Sequence, residues 1–162
     1  MIEDYLVVAD RIRQELADLE RVVARAERAA IAARQRPEDQ ELYVDSAALN
    51  LHDFYAGLER IFQQVATTVD GNLPAGQEWH RKLLQQMQID YPELRPPVLS
   101  SEAAQALDEF LRFRHVVRNI YAFQFDPERV VRLVNLMVPA FQQVQAELLA
   151  FAKFLKQVGN DT

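Results

Sequence analysis

The sequence predicts an all-α protein, an up-and-down bundle of four long helices and one short helix. Only four of its 162 residues are glycine and 49% are hydrophobic. Together with abundant alanine, leucine, glutamine and arginine, this composition favours helix over sheet. Apolar residues repeat at steps of three and four along most of the chain, which is the period of amphipathic helices. The length fits a single domain, residues 1–162.

The first helix is predicted over residues 1–36, where apolar residues keep a heptad spacing from Ile2 to Ala33. Its late seam positions are alanines, so a partner helix can approach closely there. Pro37 ends this helix and suits the first position of the next one, which is predicted over residues 38–70. The apolar face of the second helix is wide enough for several neighbours, which predicts a central position.

A glycine-containing turn separates the second helix from a short helix predicted over residues 77–88. Trp79 is expected to anchor the short helix in the core rather than to contact a ligand. Three prolines between positions 92 and 97 disfavour helix before them, so they predict an extended connection. Ser100 or Ser101 is expected to cap the helix that follows.

The fourth helix is predicted over residues 102–123 and the fifth over residues 127–157. Asp126 suits the N-cap of the fifth helix, and Pro127 suits its first position. Pro139 lies inside the fifth helix and predicts a kink there.

The composition excludes several classes of function. The chain has no cysteine, which rules out disulfides and thiolate metal sites. Its three histidines lack the spacing of a helical metal site, so we expect no metal and no cofactor. The acidic N-terminus is unlike a secretory signal and no apolar run is long enough to span a membrane. We therefore expect a cytoplasmic protein.

The charge distribution leaves room for nucleic acid at one site only. A net charge of −6 speaks against a general nucleic-acid coat protein. Residues 111–125 nevertheless contain three arginines and no acid, and these are Arg112, Arg114 and Arg118. This local basic face favours binding of RNA at a defined place.

Arg114 stands where the apolar repeat of the fourth helix calls for a hydrophobic residue. An inward-facing arginine costs several kcal/mol unless it is paired or solvated. At about 100° per residue, Arg114, Arg118 and Tyr121 fall within one sector of about 60°, with His115 and Asn119 beside it. Guanidinium and hydroxyl groups that converge in this way are typical of a phosphate site.

Two interpretations of Arg114 follow from the residues. In the structural one, Arg114 is buried and pairs with an acid of the second helix, such as Asp53 or Glu59. In the functional one, it belongs to a phosphodiester site, and His52 and Glu59 form a second polar shell that faces the fourth helix.

Several segments resemble the HepT-like toxins of the HEPN superfamily of helical ribonucleases. Arg114, Asn119 and Tyr121 match the positions of that family's Arg-x4-His-x-Tyr signature. The other similar segments are residues 51–62, Leu73-Pro74-Ala75-Gly76 with Trp79-His80, and residues 113–121 with Asp126 after them. The resemblance covers most of residues 42–134.

The resemblance implies a homodimer in which the signature residues of two protomers meet at a cleft. They cut RNA there without a metal, with the ribose 2′-hydroxyl as the nucleophile. Arg114 would stabilise the phosphate as negative charge builds in the transition state. The resemblance also implies a partner, a small nucleotidyltransferase antitoxin that adenylylates the tyrosine at the position of Tyr121.

The chain departs from the signature at Asn119, where the family has histidine. An amide has no usable protonation change near neutral pH, and loss of general acid–base help costs about 10²–10⁴-fold in rate. His115, one turn earlier, is the alternative base. We expect a toxin-like protein with weak or absent ribonuclease activity. The alternatives are a non-catalytic module that binds RNA, nucleotide or the nucleotidyltransferase, and a purely structural helical dimer.

Overall fold

The computed structural model describes residues 2–121 and 124–161 and confirms the predicted all-α helical bundle. Its five α-helices are α1 (Ile2–Gln35), α2 (Gln40–Gln64), α3 (Trp79–Gln86), α4 (Ser101–Asn119) and α5 (Pro127–Asn160). A 3₁₀ turn over Pro37–Asp39 joins α1 to α2, and α2 continues as a π-helix over Val65–Asp70. Among the described helices, none is long and apolar enough to cross a membrane.

Helix α2 lies at the centre of the bundle and packs against the other four helices. The Phe54 ring of α2 packs edge to face against Phe110 of α4 and Phe141 of α5, with centroid distances of 5.3 and 6.1 Å respectively. A Cβ atom at Gly57 would lie 2.6 Å from Cδ2 of Leu19, so glycine allows α1 to approach α2 closely there. The position of α2 brings its buried face under both α3 and α4.

Side-chain caps mark the N-termini of α4 and α5. Ser100 Oγ accepts a hydrogen bond from the Ala103 amide at 3.1 Å, and Asp126 accepts one from the Glu128 amide at 3.1 Å. Pro127 takes the first position of α5, and that helix runs on through Pro139.

Helix α4 ends at Asn119, earlier than predicted, and Ile120 is extended with φ −131°. The predicted last residue, Phe123, lies outside the described residues. The Asn119 amide donates to the His115 carbonyl at 2.6 Å, and Gln124 Oε1 accepts from the Tyr121 amide at 2.9 Å. These local bonds offer the backbone an alternative to a further helical turn. The prediction that Tyr121 shares the helix face of Arg114 was therefore wrong.

A buried ion pair fixes the connection between α3 and α4 to the end of α2. The Arg95 side chain is fully buried and donates from Nε and Nη2 to the two carboxylate oxygens of Asp70, at 2.6 and 2.8 Å. Its other N–H groups donate to the carbonyls of Gln86, Ile89 and Pro96. All five guanidinium donors are thus used. Because Arg95 bonds both Asp70 and the Gln86 carbonyl at the end of α3, it fixes the position of α3 relative to α2.

Replacing Asp70 by asparagine is expected to lower the free energy of unfolding by about 3–5 kcal/mol, because the buried guanidinium loses its counter-charge. Urea denaturation of the two proteins measures the change. Asp90→Asn is the matched control, since Asp90 is an exposed acid in the same connection, and its effect should stay within about 0.5 kcal/mol. Equal stability of wild type and Asp70→Asn would contradict the role given to this pair.

Candidate functional site

Five arginines converge on one cleft between α3 and α4. The cleft has a volume of about 800 Å³. Its arginines are Arg81, Arg112, Arg114, Arg118 and Arg129, and Glu78 is the one carboxylate among the described lining residues. In a protein with a net charge of −6, this concentration creates a local surface that attracts anions.

Glu59 of α2 lies beneath the cleft and contacts both of its walls. Its side chain is 6% exposed. Its Oε2 atom lies 2.6 Å from Nδ1 of His80, and its Oε1 atom lies 3.6 Å from Nη2 of Arg114. A carboxylate this deeply buried requires partners, and α3 and α4 supply one each. Because a carboxylate oxygen accepts, Nδ1 of His80 is the donor in this contact, and Nε2 is then the acceptor in the tautomer that the contact favours.

Arg114 makes the ion pair that the structural interpretation predicted, and it also lines the cleft. Its side chain is 16% exposed and pairs with Glu59 of the same chain. The same guanidinium lines the cleft, where its Nη1 lies 3.3 Å from Nδ1 and 3.2 Å from Nε2 of His80.

The guanidinium of Arg114 is held in place, but its hydrogen bonds are incomplete. The near-equal distances to the two nitrogens of His80 mean that Nη1 is not aligned with the lone pair of Nε2, the acceptor of the ring. The Nε atom is buried and has no hydrogen-bond partner among the described residues. Because Nε is buried, an anion can reach only the terminal Nη groups, and the loosely aligned Nη1 keeps donor capacity for it.

Tyr55 lies one turn before Glu59 on α2, beneath the same cluster. Its hydroxyl is buried and has no partner in the described part of the chain. Burial raises the pKa of Tyr55, and the negative charge of Glu59 raises it further, against the opposing effect of Arg114. The hydroxyl is thus protonated across the physiological range and is a neutral donor or acceptor.

Asp108 of α4 holds two of the cleft arginines. Its Oδ1 atom lies 2.5 Å from Nη1 of Arg81, and its Oδ2 atom accepts from Nε of Arg112 at 2.8 Å. Burial, the largest single influence, raises the pKa of Asp108, but the hydrogen bonds from Arg81 and Arg112 together outweigh it. The pKa therefore lies below its usual value of 3.8.

The structure brings five of the predicted site residues to this cleft, namely Arg112, Arg114, His115, Arg118 and Asn119. His115, Arg118 and Asn119 are exposed. The Asn119 amide is occupied by the carbonyl of its own helix, and Arg112 is paired with Asp108. Predicted neighbours on α4 thus differ in how much of their polar surface is available to a ligand.

Two predicted residues lie elsewhere. Tyr121 is 72% exposed and follows the end of α4, outside the lining of the cleft. The His52 ring lies 3.7 Å from Asp53 and does not line the cleft, two turns before Glu59 on α2. Glu59, the other predicted member of the polar shell, contacts His80 and Arg114.

His80, Arg81 and Asp108 were not predicted as site residues. His80 follows Trp79 in a short helix, and the two rings pack with centroids 3.5 Å apart. One signal was present in the sequence. Glu59 and Arg114 both interrupt apolar faces, and the histidine of the intervening short helix is a natural third partner for two such groups.

These features define a helical domain with an arginine-lined anion cleft above a buried carboxylate–histidine pair. Among the described residues, no group of three or more histidine or acidic side chains is placed to hold a metal ion.

Residues 46–155, more than half of the chain, match the sequence profile of the family described as HepT-like protein. The chain therefore belongs to the HepT-like family, and the resemblance to HepT-like toxin domains of the HEPN type is confirmed. All five arginines of the cleft lie in the matched range. Neither curated proteins nor solved structures give a significant match.

Asp108→Asn is expected to reduce stability at about pH 6 and to show a smaller deficit relative to wild type at about pH 3. Because the folded pKa of Asp108 is lowered, its stabilisation is complete above the usual value and disappears as the pH falls through the folded value. Urea denaturation at both pH values measures this. The exposed Asp90→Asn variant is the matched control for the loss of one negative charge. A deficit of Asp108→Asn that persists unchanged in acid would contradict the assignment.

Proposed function

We propose that this protein is the toxin component of a toxin–antitoxin pair and that it binds RNA in the cleft between α3 and α4. The convergence of five arginines in an acidic protein carries the proposal. Membership of the HepT-like family supports a toxin-type domain. The family resemblance also supports a homodimer, with α4 near the two-fold axis.

The chemistry of the cleft suits a phosphodiester chain. Its volume of about 800 Å³ is within the range of pockets that hold molecules of nucleotide size or larger. Guanidinium groups bind phosphate oxygens in pairs, with geometric selectivity that an ammonium lacks. Arg118 is exposed at one part of the rim, and Arg129 is held over the Phe113 ring at 5.6 Å. Several phosphates can therefore be contacted at once.

A non-catalytic binding module is the second candidate, and Asn119 favours it. The signature position that is histidine in the family is an amide here, and this amide donates to the His115 carbonyl. Asn119 consequently supplies no titrating group, and one of its two amide N–H donors is already used within the helix.

Arg118→Gln is expected to weaken binding of a labelled single-stranded RNA by about 3–10-fold. The slope of log affinity against log salt should fall in magnitude by about 0.7 for the lost phosphate contact. Fluorescence anisotropy at several salt concentrations measures both quantities. Arg21→Gln makes the same charge change on the exposed surface of α1 and should leave the affinity close to wild type. Equal losses for both variants, or no binding by wild type, would refute the cleft as an RNA site.

Tyr121 is expected to carry an adenylyl group after co-expression with the partner nucleotidyltransferase. Its side chain is 72% exposed, so an enzyme can reach the hydroxyl. The added phosphate is negatively charged and should reduce RNA affinity at the neighbouring cleft. Mass spectrometry of the Tyr121 peptide is the measurement, with Tyr121→Phe as the control that cannot be modified. An unmodified peptide beside a demonstrably active partner would count against this pairing.

A further inference from the structure

We propose that His80, held by Glu59, is the general base of a metal-independent RNA cleavage in this cleft. The inference rests on the proposed function, since the substrate is the RNA bound there. It assigns to α3 the proton-transfer role that Asn119 of α4 cannot perform.

The imidazole of His80 is fixed on two sides. Its Nδ1 atom donates to the buried Glu59 carboxylate across 2.6 Å, and its ring packs on Trp79 with centroids 3.5 Å apart. The side chain is 20% exposed and lines the cleft. A carboxylate on one nitrogen sets the tautomer and stabilises the imidazolium when the other nitrogen gains a proton. Glu59 is thus a positioning residue.

The acceptor nitrogen of His80 lies beside the group that would bind the phosphate. Nη1 of Arg114 is 3.2 Å from Nε2 of His80. A phosphate bound by that guanidinium would bring the adjacent ribose within hydrogen-bond reach of the imidazole, as general-base catalysis requires.

In net terms, the proposed step carries one proton from the 2′-oxygen to the 5′-oxygen and exchanges one bond at phosphorus. Nε2 of His80 takes the proton of the ribose 2′-hydroxyl as that oxygen bonds to the neighbouring phosphorus. The bond from phosphorus to the 5′-oxygen breaks, which leaves a 2′,3′-cyclic phosphate. The 5′-oxygen takes a proton from water, and the imidazolium returns its proton to the hydroxide formed. Arg114 stabilises the charge that builds on the phosphate oxygens.

The competing histidine is less well supported. His115 also lines the cleft, but it is exposed and no described carboxylate pairs with its ring. The charged or titratable groups around His80 are Glu59 and Tyr55 of α2, Arg114 of α4, and Glu78 and Arg81 beside it in the chain. Among residues 2–121 and 124–161, Glu59 alone accepts a hydrogen bond from the ring.

His80→Gln tests the assignment, because a glutamine amide can still donate to Glu59 but cannot take up a proton. Cleavage of a labelled RNA under single-turnover conditions is expected to fall about 10²–10⁴-fold. Binding of a 2′-O-methyl RNA, which cannot be cleaved, should be unchanged. Gln85→Ala, an exposed change on the same helix, should cleave at the wild-type rate.

Two further measurements separate catalysis from folding. Added imidazole should restore part of the cleavage rate of His80→Ala, which a purely structural defect would not allow. Glu59→Gln removes the negative charge that favours imidazolium, so the acidic limb of its rate–pH profile should move to lower pH.

The outcomes distinguish this inference from the proposed function. RNA binding without cleavage by wild type, or wild-type cleavage by His80→Gln, would overturn the role of His80 and leave the binding proposal intact. The same holds if His115→Ala abolishes cleavage and His80→Gln does not. Absence of RNA binding by wild type would overturn both.

Discussion

The arrangement of the candidate site depends on the burial of one carboxylate. The Glu59 side chain is 6% exposed, and a charge in that environment is strongly destabilising unless it is paired. Its partners, His80 and Arg114, come from two different helices. The cleft lies between those two helices. The contacts of Glu59 with His80 and Arg114, beneath the cleft, therefore position the side chains that line it. The Asp70–Arg95 pair supports the same arrangement, because it fixes the far end of α3 to α2.

Pairing and ligand binding are compatible at Arg114. A fully satisfied guanidinium, such as that of Arg95 with its five acceptors, has nothing left to offer a ligand. Arg114 differs because its Nη2 lies 3.6 Å from Glu59, beyond a good hydrogen bond, and its Nη1 is not aligned with an acceptor on His80. Incomplete pairing of this kind keeps the group in place while leaving donors for an anion. The pairing with Glu59 that the structural interpretation predicted is therefore compatible with the phosphate site that we propose.

The sequence predicts the helices well because their apolar periodicity is long and continuous. It also identifies Arg114, since a charged residue in an apolar stripe is visible without a structure. The end of α4 was misplaced because its termination depends on the side-chain hydrogen bonds of Asn119 and Gln124, which periodicity does not encode. His80 was missed because α3 is short and the role of its histidine arises only from contacts with two distant helices.

The most direct test of the central interaction is a long-range ¹H–¹⁵N NMR spectrum of the histidine side chains, recorded with and without an RNA dinucleotide whose 2′-hydroxyl is methylated. The account predicts that Nδ1 of His80 carries the proton shared with Glu59, and that the added dinucleotide shifts the signal of Nε2. The account would be contradicted if Nε2 of His80 carried the proton and Nδ1 were unprotonated. It would also be contradicted if the chemical shift of Nε2 did not change when the dinucleotide is bound.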